Sequence, residues 1–374
     1  MPAVIAGYSR SPFTPAKRGA LAQTRPDDIA AAVVNQLISD VGIDPSLVED
    51  LLVGCAFPEA EQGYNLARII TFLTDLPETV PGVTINRFCG SSMQSIHDAA
   101  ARINSGQGDA FIAGGVESMS RVPMTGFNPL PNPNLADEAM TSMGITAENL
   151  SKRHDIGRDA QEAFAIESQT RAAAARESGA FSDEIVAIET SEGTVSEDGC
   201  IRPGTNAEAL GKLRPAFDAN GTVTAGTSSP LTDGAAFVFV CSEDFAAEHG
   251  LEPMARIKSA AVSGCAPEIM GIGPVSASRK ALERAALSLD DIDLIELNEA
   301  FAAQSLAVIG ELGLDRDKVN IEGGAIALGH PLGASGARIT GKAAQLMQKN
   351  GAEHALATLC VGGGMGMATV LERA

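Results

Sequence analysis

The first third of the chain alternates short apolar runs with stretches in which apolar residues recur every three or four positions. The short runs predict buried strands, and the longer period predicts amphipathic helices. Alternation of this kind is typical of a mostly parallel sheet with helices on its faces. The predicted strands are 51–53, 83–85 and 110–115, and the predicted helices are 27–41, 63–73 and 90–103.

The pattern changes in the middle of the chain. A Pro- and Asn-rich stretch without a clear period covers 121–135, a long Ala-rich charged helix is indicated at 159–178, and a polar stretch with turn signals fills 182–219. We interpret 119–231 as an inserted segment or small domain. Alternation resumes with an apolar run at 236–240.

The last third of the chain repeats the order of the first. Helices are expected at 276–286, from about Ala300 and from Ser335. Three pairs of segments correspond: 43–53 with 288–296, 83–85 with 319–321, and 111–115 with 355–364. Two copies of one α/β unit would bring equivalent strand-to-helix loops side by side, whereas chance similarity among small-residue segments is the alternative. We predict an N-terminal half (1–118 plus 232–253), the inserted domain (119–231) and a C-terminal half (254–374).

Composition limits the classes of function. The chain has 374 residues, 45% of them hydrophobic, and no apolar run approaches the ~20 residues of a membrane span. A net charge of -20 argues against nucleic acid and anionic membranes as partners. The first residues lack the basic segment of a signal peptide. The six cysteines have no paired metal spacing, so we expect reactive thiols in a reducing compartment, no metal site and a cytoplasmic protein.

Cys89 occupies a position that favours a nucleophile. It lies between the predicted strand 83–85 and the helix that starts near Gly90, where free backbone N–H groups and the positive end of the helix dipole favour a thiolate. A cysteine so placed can have its pKa lowered from about 8.5 into the range of roughly 3.5–7.5. We therefore predict a lowered pKa for Cys89, although a small, buried structural cysteine also fits this stretch.

Three further loop residues could cooperate with Cys89. His330 lies between glycines and a proline in the matching loop of the second half, which suits a catalytic base better than a core position. Asn298 could place a water or donate to an oxyanion, or be a turn or N-cap residue. Cys360 could be a second acid/base or a core thiol, and the glycines after it could form an oxyanion hole. Together these residue types suggest acyl transfer through a thioester.

Four motifs, in their order and spacing, resemble the signatures of the thiolase family. They are Asn-Arg-Phe-Cys-Gly-Ser-Ser-Met around Cys89, Asn-Glu-Ala-Phe-Ala from Asn298, Gly-His-Pro-Leu-Gly around His330, and Cys-Val-Gly-Gly-Gly-Met-Gly from Cys360. The resemblance covers essentially the whole chain. It implies an α/β thiolase fold, in which two duplicated halves form a five-layered α/β/α/β/α arrangement with an inserted loop domain.

The resemblance also implies ping-pong chemistry on 3-oxoacyl-CoA. His330 would deprotonate Cys89, whose thiolate attacks the 3-keto carbon, and Cys360 would protonate the leaving acetyl-CoA carbanion and then activate the incoming CoA. One oxyanion hole would use His330 and a water held by Asn298, and the other would use the backbone N–H groups of Cys89 and Gly362. Coenzyme A is then a substrate, and no permanently bound cofactor is expected.

By the same resemblance, CoA would lie over the inserted domain. Ser229 would contact the pantetheine, Phe217 and Met143 would line its tunnel, and Arg202 would lie near the nucleotide. From the residues alone, Phe217 could be ordinary core and Arg202 an ordinary solvated charge. The full set implied in substrate and CoA binding is Met143, Arg202, Phe217, Ser229, Ala300 and Phe301.

Departures from the family pattern point to one branch of it. The segment 122–143 is shorter than the arm that assembles many short-chain thiolases into tetramers, and Ser142 stands where those enzymes commonly have His. Both features resemble the thiolase subunit of bacterial fatty-acid-oxidation complexes. This implies a homodimer, docked in an α2β2 complex on an enoyl-CoA hydratase/3-hydroxyacyl-CoA dehydrogenase subunit. Glu322, where Asn is usual, puts a local hydrogen bond in doubt.

The resemblance favours a degradative 3-ketoacyl-CoA thiolase of fatty-acid β-oxidation. An acetoacetyl-CoA thiolase (acetyl-CoA C-acetyltransferase) acting in the condensing direction has the same four catalytic residues and is the alternative. A ketosynthase relative fits less well, because such enzymes lack a counterpart of Cys360. A non-catalytic lipid carrier fits less well because all four reactive positions are intact.

Overall fold

The computed structural model of the chain describes residues 2–374. Its strands are β1 (Ala3–Arg10), β2 (Thr14–Pro15), β3 (Asp50–Gly54), β4 (Gly82–Ile85), β5 (Ala110–Ser118), β6 (Ile188–Thr190), β7 (Gly193–Val195), β8 (Thr232–Ser242), β9 (Ala255–Gly264), β10 (Leu294–Leu297), β11 (His354–Val361) and β12 (Met365–Glu372). Its α-helices are α1 (Pro26–Val41), α2 (Leu66–Phe72), α3 (Ser91–Asn104), α4 (Met143–Arg153), α5 (Arg158–Glu177), α6 (Ala207–Gly211), α7 (Glu243–Glu248), α8 (Gly273–Ala285), α9 (Ala302–Leu312), α10 (Ala325–Leu328) and α11 (Ser335–Asn350). None of these helices has the length and apolar character needed to cross a membrane.

The strands of the two halves follow the same order. In the first half the order is β4-β3-β5-β8-β1, in which β3 is parallel to β4 and β5, and β8 is antiparallel to β5 and β1. In the second half the order is β10-β11-β12-β9, and Val319 forms a parallel bridge to Ile295 at the place that corresponds to β4. A short antiparallel contact between β1 and β9 joins the two sheets. The structure therefore contains one α/β unit twice.

The second copy lacks a full counterpart of β4. The run 319–321 was expected to correspond to the strand 83–85, but only Val319 pairs with β10. Asn320 has φ +48, and its side chain accepts from Leu297 N at 2.9 Å and donates to Leu297 O at 2.8 Å. The amide side chain thus takes the hydrogen bonds that a longer strand would have made through its backbone.

Five layers result from the packing of helices on these sheets. α3 and α11 lie between the two sheets and share one apolar core with their inner faces. α1 and α2 cover the outer face of the first sheet, and α8 and α9 cover that of the second. The central helices approach closely, because a Cβ added to Gly336 would lie 2.4 Å from Met93 N. This is the predicted α/β/α/β/α arrangement.

Buried ion pairs tie the segment between β5 and β8 to both halves. Arg10 of β1 donates to Glu184 at 2.7 Å and to both carboxylate oxygens of Asp198 at 2.7 Å. Lys342 of α11 pairs with Glu184 and, at 2.8 Å, with Glu322. Burial disfavours the charge on Glu184, but Lys342 and Arg10 hold its pKa below the usual value. Glu322 therefore has an ion-pair partner at the position where the family pattern has Asn.

The same segment contains α4, α5, the β6–β7 hairpin and α6. β5 ends at Ser118 and β8 begins at Thr232, so we propose that 119–231 is one inserted domain, with 1–118 plus 232–253 and 254–374 as the two halves.

Candidate active site

Three of the four predicted reactive side chains line one cleft, and the fourth, Asn298, is not among its lining residues. Cys89, His330 and Cys360 border a cavity of about 740 Å³, measured to its open mouth. The predicted binding residues that also line it are Met143, Phe217, Ser229, Ala300 and Phe301. Arg202 lies elsewhere: it is exposed, and its backbone N–H donates to Gln169 Oε1 at 2.7 Å. The structure thus brings together residues from both halves and from the inserted segment.

Cys89 lies two residues before the start of α3, with Gly90 as the cap. The turn that presents it is tight, and Phe88 has a left-handed backbone with φ +43. Gly90 is required by space, because a Cβ there would lie 2.4 Å from Met367 Sδ and 2.9 Å from Val361 Cγ2. Close packing from the second half therefore fixes the backbone on which the thiol is mounted.

The predicted lowering of the Cys89 pKa is wrong. Burial raises the pKa of Cys89 to about 11, although the backbone N–H groups of Gly362 and of Cys89 itself act in the opposite direction. The buried carboxylate of Glu117 raises it further. The hydration free energy that a thiolate loses on burial is larger than the stabilisation that it gains from the helix N-terminus. At neutral pH the resting nucleophile is therefore a protonated thiol.

His330 is held as a neutral imidazole with one defined tautomer. Its backbone N–H donates to Thr232 Oγ1 at 3.0 Å, and its Nδ1 lies 2.5 Å from Ser335 Oγ. The Ser335 hydroxyl itself donates to Pro331 O at 2.9 Å, so Nδ1 carries the ring proton and donates to Ser335. Burial lowers the pKa of His330 to about 3, and Arg338 acts in the same direction. Nε2 is left as a free base.

Asn298 faces that free nitrogen. It follows β10, and its Nδ2 lies 3.3 Å from His330 Nε2, so that the amide donates to the ring at rest. Its Oδ1 is buried without a hydrogen-bond partner among residues 2–374. An unpaired buried amide oxygen is an acceptor suited to an ordered water. Asn298 thus holds the ring of His330, but unlike His330 it is not among the residues that line the cleft.

Cys360 lines the same cleft and is followed by a glycine turn. Cys360 is the penultimate residue of β11, and burial followed by the proximity of Cys89 raises its pKa well above the usual value. The chain then turns through Gly363 and Gly364, which both have φ +79. The backbone N–H of Gly362, at the start of this turn, acts to lower the pKa of the Cys89 thiol. Together with the N–H of Cys89 itself, it is a candidate donor to an oxyanion on a Cys89 adduct.

Sequence reasoning missed the residues that hold these loops. Glu117, at the end of β5, is buried and accepts from Ala56 N at 2.7 Å, Gln62 Nε2 at 2.8 Å and Gly333 N at 2.9 Å. It thereby fastens the loop of His330 to the first half. Ser335, five residues after His330, and Thr232 also belong to this group. The cleft has further apolar lining residues that were not predicted: Met119, Met124, Leu231, Met270 and Leu332.

The arrangement suits thioester chemistry. The Cys89 thiol and the His330 ring border one mainly apolar cleft, and a second thiol, that of Cys360, borders the same space. Proton transfer from Cys89 to His330 is costly at rest, because both charged forms are buried. It becomes favourable when a polarised carbonyl accepts the electrons and the oxyanion meets fixed donors.

Family models match the chain from end to end. The model described as the thiolase N-terminal domain matches residues 3–244, and the one described as the thiolase C-terminal domain matches residues 251–373.

Full-length relatives and solved structures agree with these matches. A 3-ketoacyl-CoA thiolase of Bacillus subtilis (strain 168) is 47% identical over 386 residues, and one of Idiomarina loihiensis is 50% identical over 383 residues; each alignment covers 99% of both chains. The crystal structure of human mitochondrial 3-ketoacyl-CoA thiolase in complex with CoA has a TM-score of 0.93 and 38% identity, covering 100% of this chain and 98% of that one. A Bacillus anthracis acetyl-CoA acetyltransferase has a TM-score of 0.92 and 40% identity, covering 100% and 99%.

Proposed function

Since the chain belongs to the thiolase family, we propose that it is a 3-ketoacyl-CoA thiolase of fatty-acid β-oxidation. It cleaves 3-oxoacyl-CoA with CoA into acetyl-CoA and a shortened acyl-CoA. The observation that carries this proposal is the meeting of Cys89, His330 and Cys360 in one cleft, with Asn298 on the free nitrogen of His330.

The first half-reaction forms an acyl-enzyme. The Cys89 thiol gives its proton to His330 Nε2 as the sulfur attacks the 3-keto carbon. The resulting oxyanion is bonded to the carbon that carries the sulfur, so it lies within reach of the N–H groups of Cys89 and Gly362. The bond between C2 and C3 then breaks, and Cys360 protonates the departing acetyl-CoA carbanion. The enolate oxygen of that carbanion faces protonated His330 and the water held by Asn298.

The second half-reaction reverses these proton transfers. The Cys360 thiolate takes the proton of the incoming CoA thiol, and the CoA sulfur attacks the thioester carbonyl of acyl-Cys89. The same two backbone N–H groups stabilise this second oxyanion. Cys89 leaves as the sulfur of a thiol, because His330 returns the proton that it accepted in the first half-reaction.

The pantetheine arm of CoA fits the wall formed by the inserted domain. Ser229 is fixed to the Asn298 motif, since its N–H and its hydroxyl both contact Ala300 O at 3.0 Å. The rings of Phe217 and Phe301 pack edge to face with centroids 5.8 Å apart, and Met143 lies beside them. We assign the thioester end of CoA to this apolar wall, and Arg202, which is exposed and outside the cleft, to the nucleotide end.

The enzyme is proposed to be a homodimer. β4 is the outermost strand of its sheet, and the adjacent helix α2 leaves large apolar side chains exposed, including Phe72 at 57%. Tyr64, just before α2, is 97% exposed. An open strand edge flanked by apolar side chains is typical of an interface. A second copy of the chain paired along β4 would cover this surface.

The segment 123–140 is the proposed contact for the hydratase/dehydrogenase subunit of an α2β2 complex. Its apolar side chains Met124, Phe127, Leu130, Leu135 and Met140 are exposed. Apolar side chains clustered in one segment are typical of a protein contact. Co-elution of the two purified subunits, and loss of co-elution when Phe127 and Leu130 are both replaced by Ser, would support this contact.

Thiolysis by the purified chain tests the function. CoA is supplied with acetoacetyl-CoA in one series and with 3-ketodecanoyl-CoA in the other, and Cys89→Ala is the control. Comparable or higher kcat/KM on the longer substrate supports the degradative enzyme, and an acyl group on Cys89 in mass spectrometry supports the mechanism. Turnover of acetoacetyl-CoA alone would favour the acetoacetyl-CoA thiolase, the activity suggested by the likeness to the acetyl-CoA acetyltransferase structure. No turnover that depends on Cys89 would refute both.

A further inference from the structure

The residue before the nucleophile has a backbone conformation that its side chain does not favour. Phe88 has φ +43, which is a rare value for a bulky residue. Its neighbours hold it there: Phe88 N donates to Asn86 Oδ1 at 2.9 Å, and its carbonyl accepts from Ser91 Oγ at 2.6 Å. Ser91 Oγ in turn accepts from Arg87 N at 2.9 Å. Strained residues of this kind persist where the surrounding structure requires them.

The ring of Phe88 reaches across to the glycine turn of the second half. A Cβ added to Gly362 would lie 3.6 Å from Phe88 Cδ2, and one added to Gly363 would lie 4.0 Å from Phe88 Cε2, so the ring faces this side of the turn across a gap of about one methyl group. On its other side the ring contacts Phe57, with centroids 6.1 Å apart. Phe88 does not line the substrate cleft. Its ring thus fills the space between the loop of Phe57 and the turn at Gly362.

We propose that Phe88 is a positioning residue for the thiolase reaction. Its backbone aims the N–H of Cys89, and its ring supports the turn that aims the N–H of Gly362. The two donors belong to different halves of the chain, and their separation must match one oxyanion. A single side chain that belongs to the nucleophile's turn and faces the Gly362 turn limits how far the two turns can approach each other. This inference rests on the proposed function for its catalytic consequence, but not for its geometry.

The geometry gives a signature that simple destabilisation would not give. The N–H of Gly362 stabilises negative charge on the Cys89 sulfur. If the ring of Phe88 holds this N–H in place, its removal must raise the pKa of Cys89 further and must slow the steps that pass through an oxyanion. CoA affinity should not change, because Phe88 lies outside the cleft.

The test compares full-length Phe88→Ala and Phe88→Gly with the wild-type chain. The glycine variant accepts a positive φ without strain, so it separates loss of the ring from failure to fold. Phe88→Leu restores an apolar side chain at the turn, and Leu213→Ala is the control for loss of a large apolar side chain that is exposed to the same extent and lies outside the cleft. Two quantities are measured: the pH profile of Cys89 alkylation by iodoacetamide, followed by peptide mass, and kcat with KM for CoA in thiolysis.

We expect both ring-deletion variants to shift the alkylation profile upward by about half a pH unit or more. We expect kcat to fall about tenfold or more while KM for CoA stays within about threefold, and Phe88→Leu to recover most of the loss. If Phe88→Gly matches Leu213→Ala in both measurements, Phe88 has no positioning role. The alkylation profile needs no turnover, so it tests Phe88 even if thiolysis fails in the wild-type chain.

Discussion

Replacing Ser335 by Ala removes the one side-chain acceptor of the His330 ring proton. The hydroxyl lies 2.5 Å from Nδ1, and His330 is only 4% exposed, so water does not readily take its place. The ring then has two states. It can keep the proton on Nδ1 without an acceptor, or move it to Nε2, where the Asn298 amide donor lies 3.3 Å away. The first state leaves Nε2 basic but destabilises the imidazolium that forms when Cys89 gives up its proton, and the second state removes the free base at Nε2, so both oppose proton transfer from Cys89.

The magnitude follows from that lost contact. Leaving a buried donor without a partner costs about 1–3 kcal/mol. If this cost falls on the step in which Cys89 is deprotonated, kcat falls roughly 5- to 150-fold. KM for CoA should change little, because Ser335 does not line the cleft.

The assay is steady-state thiolysis of 3-ketodecanoyl-CoA by Ser335→Ala and by a matched control. Ser95→Ala serves as the control, because the Ser95 hydroxyl is also buried and also bonds a carbonyl four residues earlier, Ser91 O at 3.2 Å. A fall in kcat no greater than that of Ser95→Ala would refute the assignment of the His330 tautomer. A rise in KM with unchanged kcat would refute it as well, since the hydroxyl would then act in binding.

Further predictions concern protonation and packing. Because burial raises the pKa of Cys89 to about 11, its alkylation by iodoacetamide should accelerate about tenfold per pH unit between pH 7 and 10; a plateau near pH 7 would contradict the buried thiol. Burial lowers the pKa of His97 from 6.5 to about 3, so the unfolded chain binds a proton that the folded chain does not, and stability is full above pH 6.5 and is lost as the pH falls towards 3. The urea midpoint of unfolding should therefore fall less between pH 7.5 and pH 5 in His97→Gln than in the wild-type chain. Gly336→Ala should lower the free energy of unfolding by about 1–3 kcal/mol in urea titrations, because its Cβ would overlap the backbone of Met93, and an unchanged midpoint would refute the close helix contact. Lys342→Met leaves two carboxylates without their shared cation and should cost about 3–5 kcal/mol in the same measurement, whereas exposed Lys212→Met is the neutral control.

Most of the strands and helices could be predicted from the local periodicity of apolar residues and from the two-fold repetition of the chain. The helix 27–41 and the strands at 51–53 and 110–115 have apolar faces strong enough to be recognised without tertiary information. Other elements were missed. α4 has Met143, Ala147 and Leu150 at helical spacing, but the surrounding Pro- and Asn-rich chain obscured them. β9 alternates buried and half-buried residues and was not assigned.

The sequence named residues that the structure brings together, but it did not predict their electrostatics. Cys89, Asn298, His330 and Cys360 lie in short motifs, and the repetition of the chain indicated that their loops would meet. The extent to which a side chain is buried cannot be predicted from the local sequence around it. The pKa of Cys89 depends on burial by both halves of the chain. Burial raises this pKa by more than the backbone N–H groups at the predicted helix N-terminus lower it. The role of Glu117 could likewise be seen only in the folded chain, because it holds the His330 loop by accepting a hydrogen bond from Gly333, more than two hundred residues away.

The protonated resting state of Cys89 has a consequence for the durability of the protein. Peroxide and other oxidants attack the thiolate and leave the thiol largely unharmed. A nucleophile with a permanently lowered pKa would be exposed to sulfenic and sulfinic acid formation throughout the life of the molecule. In the mechanism proposed above, the reactive anion forms only while a substrate carbonyl fills the cleft and receives its electrons. The burial that raises the pKa of Cys89 therefore also protects its thiol from oxidation between turnovers.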